Sequence, residues 1–253
     1  RGHMAKAKSY KLQGREWTVK DLAEELGLST PRVHGLLKEH NEDIKAIFES
    51  RGITSINNPP QPNKSQVNLY LRKWKTLKKY KMQEESLNLL FNEWPENKEL
   101  EQILLKVSAL NDFYSTNIFD TYTVAKHILK CNIDKDLSAG NEALVNKIAP
   151  VTINGKTRNF YSFASKYCNH HKSESYPIYD YYVDKMLMHF KKKDKFDTFI
   201  NEDLKKYQSF VERIKNFQKY YDLSAFTLRD IDIYLWLAGK NYFPRKKQKK
   251  KNK

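Results

Sequence analysis

Apolar residues recur at spacings of three and four along most of the chain. This spacing places them on one face of an α-helix, where they can pack into a core. Strict alternation of apolar and polar residues, which is typical of a strand with one buried face, is nearly absent. The sequence therefore predicts an all-α protein. The clearest helical sets are Val67, Leu71, Trp74 and Leu77; Leu100, Ile103, Leu104 and Val107; and Ile231, Tyr234, Leu235 and Ala238.

A proline-rich segment, NNPPQPNK at residues 57–64, interrupts the helical pattern. Proline lacks the backbone N–H that a helix interior needs, so this segment predicts a linker at 59–66. A small N-terminal module is then expected over 5–58 and a larger helical body over 67–244. The first four residues, RGHM, resemble an expression-vector remnant, so we expect the natural chain to begin near Met4 without a signal peptide.

The N-terminal module contains the pattern of a helix, a tight turn and a second helix at residues 17–40. Gly27 permits the turn, Ser29 or Thr30 can cap the second helix, and Pro31 suits its first turn. The pattern resembles a DNA-binding helix-turn-helix and also the N-terminal helical module of bacterial translation initiation factors. A role in packing or protein docking is the alternative. The residues expected to face DNA are Thr30, Arg32, His34 and Lys38.

The net charge of +16 predicts a polyanionic partner. The tail at residues 245–253 holds seven basic residues and no acid, so the rest of the chain still carries +9. We expect duplex DNA as the partner, although the charge could instead serve solubility. No apolar run is long enough for a membrane span, and the sequence leaves the oligomeric state open. Two cysteines, Cys131 and Cys168, suit a reducing cytoplasmic setting.

Three stretches of the body occur in an order that bears on the function of the protein. Residues 104–128 begin as an amphipathic helix and break at a polar YSTN segment. Residues 148–168 carry a Pro- and Gly-containing turn that leads into a helix. Residues 176–187 start a new element at Pro177, and Asp180 follows three residues later. One explanation for Asp180 is that it caps the helix of that element. The other is that it faces a cleft and takes part in catalysis there.

The order of these stretches resembles the helix-hairpin-helix DNA glycosylase superfamily, over about residues 100–243. The spacing Pro177-x-x-Asp180 is similar to that of the branch acting on alkylated bases, and residues 226–240 look like its closing helix. The resemblance implies that the polar break lines a base pocket and that a glycine-containing hairpin binds DNA phosphate. It also implies that Asp180 stands at the mouth of the pocket.

The resemblance assigns roles to individual residues. Asp180 would stabilise the cationic sugar of the transition state or orient a water molecule. Lys156 lies one position from the lysine that forms a Schiff base in the bifunctional branch, so a monofunctional N-glycosylase is expected if the protein is an enzyme. The expected base-binding residues are Tyr114, Asn117, Tyr179, Tyr181 and Trp236, and the expected hairpin contacts to DNA are Gly155, Lys156, Thr157 and Arg158.

Two other functions remain open from the sequence. One is a non-catalytic nucleic-acid-binding protein on the same fold, and the other is a protein-interaction module. No organic cofactor or metal is predicted. The compact group Cys168, His170, His171 and Glu174 is a weak metal candidate, and two cysteines are too few for the iron–sulfur cluster of some glycosylases.

Overall fold

A computed structural model describes residues 8–12, 15–51 and 58–245. These residues are mostly helical, which confirms the predicted all-α class. The expected vector remnant at 1–4 and the tail from residue 246 onward lie outside the described residues. No helix in the described part of the chain is both long and apolar enough to cross a bilayer. The chain divides into two compact units, with the boundary between Pro60 and Gln61.

The first unit contains the predicted helix, turn and helix. Helix α1 ends at Gly27, whose φ of +64° is the left-handed conformation that glycine adopts without strain. Thr18 and Asp21 cap α1 reciprocally. A two-stranded hairpin and a third helix were not predicted. The elements are β1 (Ser9–Leu12), β2 (Arg15–Thr18), α1 (Val19–Leu26), α2 (Thr30–Glu39) and α3 (Ile44–Ser50).

The second unit is a helical body around one apolar core. Residues 58–63 form no helix or strand, and the first helix begins at Lys64, inside the predicted linker. The first helices are α4 (Lys64–Thr76), α5 (Lys78–Glu93), α6 (Leu100–Tyr114), α7 (Thr121–Cys131), α8 (Asp134–Ala139) and α9 (Ala143–Ile148). A hairpin and the remaining helices follow: β3 (Pro150–Ile153), β4 (Lys156–Asn159), α10 (Tyr161–His171), α11 (Tyr181–Asp194), a 3-10 helix (Asn201–Lys205), α12 (Tyr207–Tyr220) and α13 (Leu228–Tyr242).

The core of this unit follows the periodic pattern of the sequence. The polar break at YSTN separates α6 from α7, as expected, and Ser115 and Asn117 adopt left-handed backbone conformations there. The buried residues that carry the predicted periodicity include Val67, Ile103, Val107, Ile231, Tyr234, Leu235 and Ala238.

The predicted phosphate-binding hairpin has a different structure from the one expected. Residues 150–159 form an antiparallel β-hairpin, with Ile153 paired to Lys156. Asn154 and Gly155 form its tip, both with positive φ, as in a type I′ turn. Gly155 therefore lies six residues before α10 begins at Tyr161, and its amide is not at a helix N-terminus. The prediction of a turn leading directly into a helix was wrong, because a two-strand ladder intervenes.

Helices α11 and α13 pack unusually closely at Gly239. A Cβ added to Gly239 would lie 2.6 Å from Tyr182 Cβ and 2.7 Å from the Tyr182 carbonyl oxygen. The backbone of α11 cannot retreat without moving the first turn of that helix, so a glycine is required here for packing.

Gly239→Ala is expected to lower the free energy of unfolding by about 2 kcal/mol, since overpacking a tight contact costs roughly 1–3 kcal/mol. Urea denaturation measures the loss. Gly35→Ala is the matched control, because a Cβ on this helical glycine would meet its nearest neighbour at 3.7 Å, an ordinary contact. The control should be neutral or slightly stabilising, since alanine favours a helix over glycine. Equal effects in the two variants would contradict the packing argument.

Candidate functional site

A cavity of about 1300 Å³ opens in the second unit between α4, α5, α6, α10, α11 and α13. Its wall brings together residues that lie far apart in the sequence. Both aromatic and charged side chains line it. The predicted site residues found in this wall are Tyr114, Asn117, Tyr179, Asp180, Tyr181 and Trp236.

Asp180 is both a helix cap and a residue of the cavity wall. Its Oδ1 accepts hydrogen bonds from the N–H groups of Tyr182 at 2.7 Å and Val183 at 3.3 Å, at the start of α11. Its Oδ2 accepts no hydrogen bond from the described residues. The two explanations of Asp180 are therefore compatible, because capping uses one oxygen and leaves the other available to a ligand.

Buried side chains fix the backbone that leads to Asp180. The three preceding residues each form a hydrogen bond with a side chain from another helix. The partners are Tyr207 Oη for the Pro177 carbonyl at 2.6 Å, Asp232 Oδ2 for the Ile178 N–H at 2.9 Å, and Ser165 Oγ for the Tyr179 N–H at 3.1 Å. The position of the carboxylate is thus set before any ligand binds, which is what electrostatic catalysis requires.

Lys166 was not predicted and also lines the cavity. Its side chain is 5% exposed, its ammonium group donates to Ser162 Oγ, and its Nζ lies 5.3 Å from the centroid of the Tyr114 ring. Burial lowers the pKa of Lys166, against the opposing attraction of Asp180 and Asp232. A lowered pKa makes the neutral amine, the form that attacks as a nucleophile, easier to reach. Its signal in the sequence is that it interrupts the mostly apolar run FASKYC at residues 163–168 of α10.

Lys156 does not accompany Asp180. It lies exposed on β4 beside the hairpin tip and is not among the residues that line the cavity. Its neighbours Gly155, Thr157 and Arg158 are likewise exposed and outside the wall, whereas Asn159 reaches it. The structure therefore places the predicted catalytic lysine on the outer surface, whereas Lys166 is a buried lysine of the cavity wall.

Three aromatic rings form one side of the cavity. Trp236 contacts Trp74 and Tyr80 edge-on, with centroids 6.0 and 5.2 Å apart, and Trp74 stacks on Tyr80 at 6.4 Å. Lys240 Nζ lies 4.5 Å from the Trp236 ring and donates to Tyr80 Oη at 3.0 Å. This wall offers flat apolar surface beside a positive charge, which suits a stacked base near a phosphate.

Tyr114 is held in the wall by a short hydrogen-bond chain. His170 Nδ1 donates to Asn88 Oδ1 at 3.0 Å, so His170 Nε2 accepts from Tyr114 Oη at 3.0 Å. Burial lowers the pKa of His170 to about 3, and it raises the pKa of Tyr114 to about 12. His170 is thus a neutral structural partner. Within the described ranges, no three His, Cys, Asp or Glu side chains are grouped so that they could hold a metal ion.

The remaining predicted base-binding residues differ in how accessible their side chains are to a ligand. Tyr179 is buried, and its hydroxyl donates to Asp184 Oδ2 at 2.8 Å, which ties the ring into the wall. Tyr181 is half-buried beneath the guanidinium of Arg245, at 4.4 Å. Asn117 is exposed at the rim. Of these three, Tyr181 and Asn117 are the more accessible.

Asp232 is a second carboxyl group of the wall that was not predicted. It is 2% exposed, and burial raises its pKa to about 8 although Arg229 opposes the shift. Arg229 itself pairs with Glu84 across the same wall. Asp232 Oδ1 is buried and has no hydrogen-bond partner among the described residues.

The residues predicted for the N-terminal helix lie in the other unit. Thr30, Arg32, His34 and Lys38 are all exposed on α2, as expected for residues that meet a partner. Arg32 forms an ion pair with Glu39 on the same helix at 3.0 Å. DNA contact by this module stays a prediction.

Comparison with known proteins identifies a family and a relative, and neither description includes an activity. Residues 66–175 match the model of a family described as HI_0787_N, N-terminal domain. A protein of Haemophilus influenzae, described as an uncharacterized protein, is 46% identical over 149 residues, which is 58% of this chain and 71% of the relative. No solved structure matches the chain. The family match includes Tyr114 and Lys166 and ends before Asp180.

Proposed function

We propose that this chain, which belongs to the family of the Haemophilus influenzae protein, binds duplex DNA and excises a modified base. The main support is a single arrangement: Asp180, with one carboxylate oxygen free, and Lys166, with a buried amine, line the same aromatic-walled cavity. A base removed from the helix stack would enter this cavity, since an enzyme cannot reach the glycosidic bond of a stacked base.

The chemistry follows from these two groups. Cleavage of an N-glycosidic bond builds positive charge on the sugar, and the fixed negative charge of Asp180 stabilises it. The Lys166 amine attacks C1′ as the bond between C1′ and the base breaks, and the electron pair of that bond leaves with the base. The proton lost by the amine passes to Asp180 or to solvent.

The charges around the cavity support an anionic ligand. Basic side chains line it on several helices, and further basic side chains lie on the exposed strand β4. Phosphate contacts of this kind supply affinity that falls as salt rises. The basic residues in the wall besides Lys166 are Lys79, Lys185, Lys205, Arg229, Lys240 and Arg245.

The direct test is single-turnover release of free base by the full chain. Duplexes should carry alkylated, oxidised or deaminated bases, and cleavage at the abasic site scores the product. We expect salt-sensitive binding and release from at least one duplex. Binding without release from any duplex would favour the non-catalytic nucleic-acid-binding alternative. Absence of binding at low salt would contradict both and favour an interaction module.

The hairpin gives a prediction about binding alone. Lys156→Glu with Arg158→Glu is expected to weaken DNA binding about tenfold or more at 0.1 M salt and to lower the salt dependence, because two phosphate contacts are lost. Filter binding over a salt series measures both. Lys192→Glu with Lys219→Glu makes the same change of charge on exposed positions outside the cavity wall. Equal weakening of DNA binding in the two variants would show that net charge, and not the position of the hairpin, is responsible.

A further inference from the structure

We infer that Asp232 is a neutral acid that donates its proton to the base in the cavity, so that the substrate is an uncharged modified purine. A cationic alkylated purine, such as N7-methylguanine, would not need this group. The inference rests on the proposed function and adds the chemical class of its substrate.

One oxygen of Asp232 has no hydrogen-bond partner among the described residues. Asp232 lies on α13, and the residue lines the cavity. Its Oδ2 is occupied by the Ile178 N–H at 2.9 Å. Its Oδ1 is buried and has no partner in the described part of the chain. Buried polar atoms of native proteins nearly always have a partner, so an unpaired oxygen in a cavity wall indicates a ligand that completes it.

The surroundings keep this carboxyl group protonated at neutral pH. Burial is the largest cause and raises the pKa of Asp232 to about 8. Two positive charges and a backbone N–H favour the ionised form, and the negative charge of Asp180 opposes it. The charged and titratable groups that face Asp232 are Arg229 of α13, Lys166 of α10, Asp180 before α11, Tyr114 of α6 and Tyr207 of α12, with Glu84 of α5 paired to Arg229.

A neutral purine is the substrate that requires such an acid. Without protonation it would leave as an anion, whereas N7-methylguanine is already cationic and leaves as a neutral molecule. The Asp232 proton passes to a ring nitrogen of the purine as the C1′–N9 bond breaks and its electron pair moves to the base. Lys166 or water then bonds to C1′, and solvent reprotonates Asp232. Purine ring nitrogens accept this proton more readily than pyrimidine carbonyl oxygens do.

The test is Asp232→Asn in the full chain. The amide oxygen can still accept from the Ile178 N–H, so the segment before Asp180 keeps its support, while the acidic proton is lost. Single-turnover release of hypoxanthine and of N7-methylguanine is measured from otherwise identical duplexes between pH 6 and 9. We expect hypoxanthine release by the wild type to decline above about pH 8. At pH 7, we expect the variant to release hypoxanthine about a hundredfold more slowly and the N7-methylguanine to hypoxanthine ratio to rise by a similar factor.

A stability measurement checks the protonation without turnover. Because the folded-state pKa is raised above that of the unfolded chain, the wild type loses stability as pH rises from about 4 toward 8. The variant has no such group, so its melting temperature should exceed that of the wild type at pH 7 and approach it at pH 4. A difference in melting temperature that is constant with pH would contradict a protonated Asp232 and overturn the inference.

The activity outcomes are distinguishable. Equal slowing of both bases, no slowing of either, or a wild type that releases N7-methylguanine but no neutral purine would overturn the inference and leave base excision standing. A wild type that releases no base from any duplex would overturn the proposed function and this inference with it.

Discussion

Replacing Asp180 with asparagine is expected to slow base release about a hundredfold in single turnover while folding and DNA affinity change little. Asparagine caps helices well, so its amide oxygen can keep the hydrogen bonds from the N–H groups of Tyr182 and Val183. The negative charge at the free oxygen is lost. Removing one group aimed at charge in the transition state costs about 3 kcal/mol, which corresponds to roughly a hundredfold in rate.

A second capping aspartate provides the control. Asp120 caps α7, where its side chain accepts from the Thr123 N–H at 3.0 Å, and it does not line the cavity. Asp120→Asn should leave base release unchanged. An active wild type with an equally active, well-folded Asp180→Asn variant would remove Asp180 from the mechanism. Equal slowing in the two variants would show that capping, and not charge in the cavity, is responsible.

Borohydride reduction is expected to trap a covalent adduct between the wild-type chain and its DNA substrate, and Lys166→Gln is expected to form none. An amine that attacks C1′ forms an imine when the sugar ring opens, and borohydride converts it to a stable bond. Glutamine keeps a polar side chain at this position but has no nucleophilic amine. The expected effect is complete loss of the adduct, measured as shifted protein on a denaturing gel.

Lys156→Gln is the matched control for this experiment, because Lys156 is the exposed hairpin lysine that the resemblance put one position from the Schiff-base lysine. It should retain the adduct. Base release by the wild type without any adduct would mean that water is the nucleophile, as the resemblance to the monofunctional branch implies. An adduct that persists in Lys166→Gln and disappears in Lys156→Gln would reverse the assignment made from the cavity.

The sequence predicted the helical class and, through the glycosylase resemblance, six residues of the cavity wall. Asp180, Tyr114 and Trp236 lie far apart in the chain, yet they line one cavity, because their amphipathic helices pack around one core. The segment containing Pro177 was also informative, since proline ends one element and permits another to start. The local pattern predicted the helices, and the resemblance predicted which side chains meet.

The two hairpins and the two buried charged residues were not predictable in the same way. The Asn154-Gly155 pair is a signal for a type I′ turn, but the flanking strands have only four residues each and show little alternation. Lys166 and Asp232 had little local signal. Their altered pKa values arise from burial against other helices, and burial of a charged residue depends on tertiary packing that spacing does not reveal.

The most direct measurement is a crystal structure of Lys166→Gln bound to a duplex with one hypoxanthine. Base excision predicts that the modified nucleotide leaves the stack and that its base lies in the cavity beside Trp236. Its C1′ should then lie about 3.5 Å from the free oxygen of Asp180, the distance of reacting groups in a productive complex. A duplex bound with every base stacked, or bound away from the cavity, would contradict the proposed function.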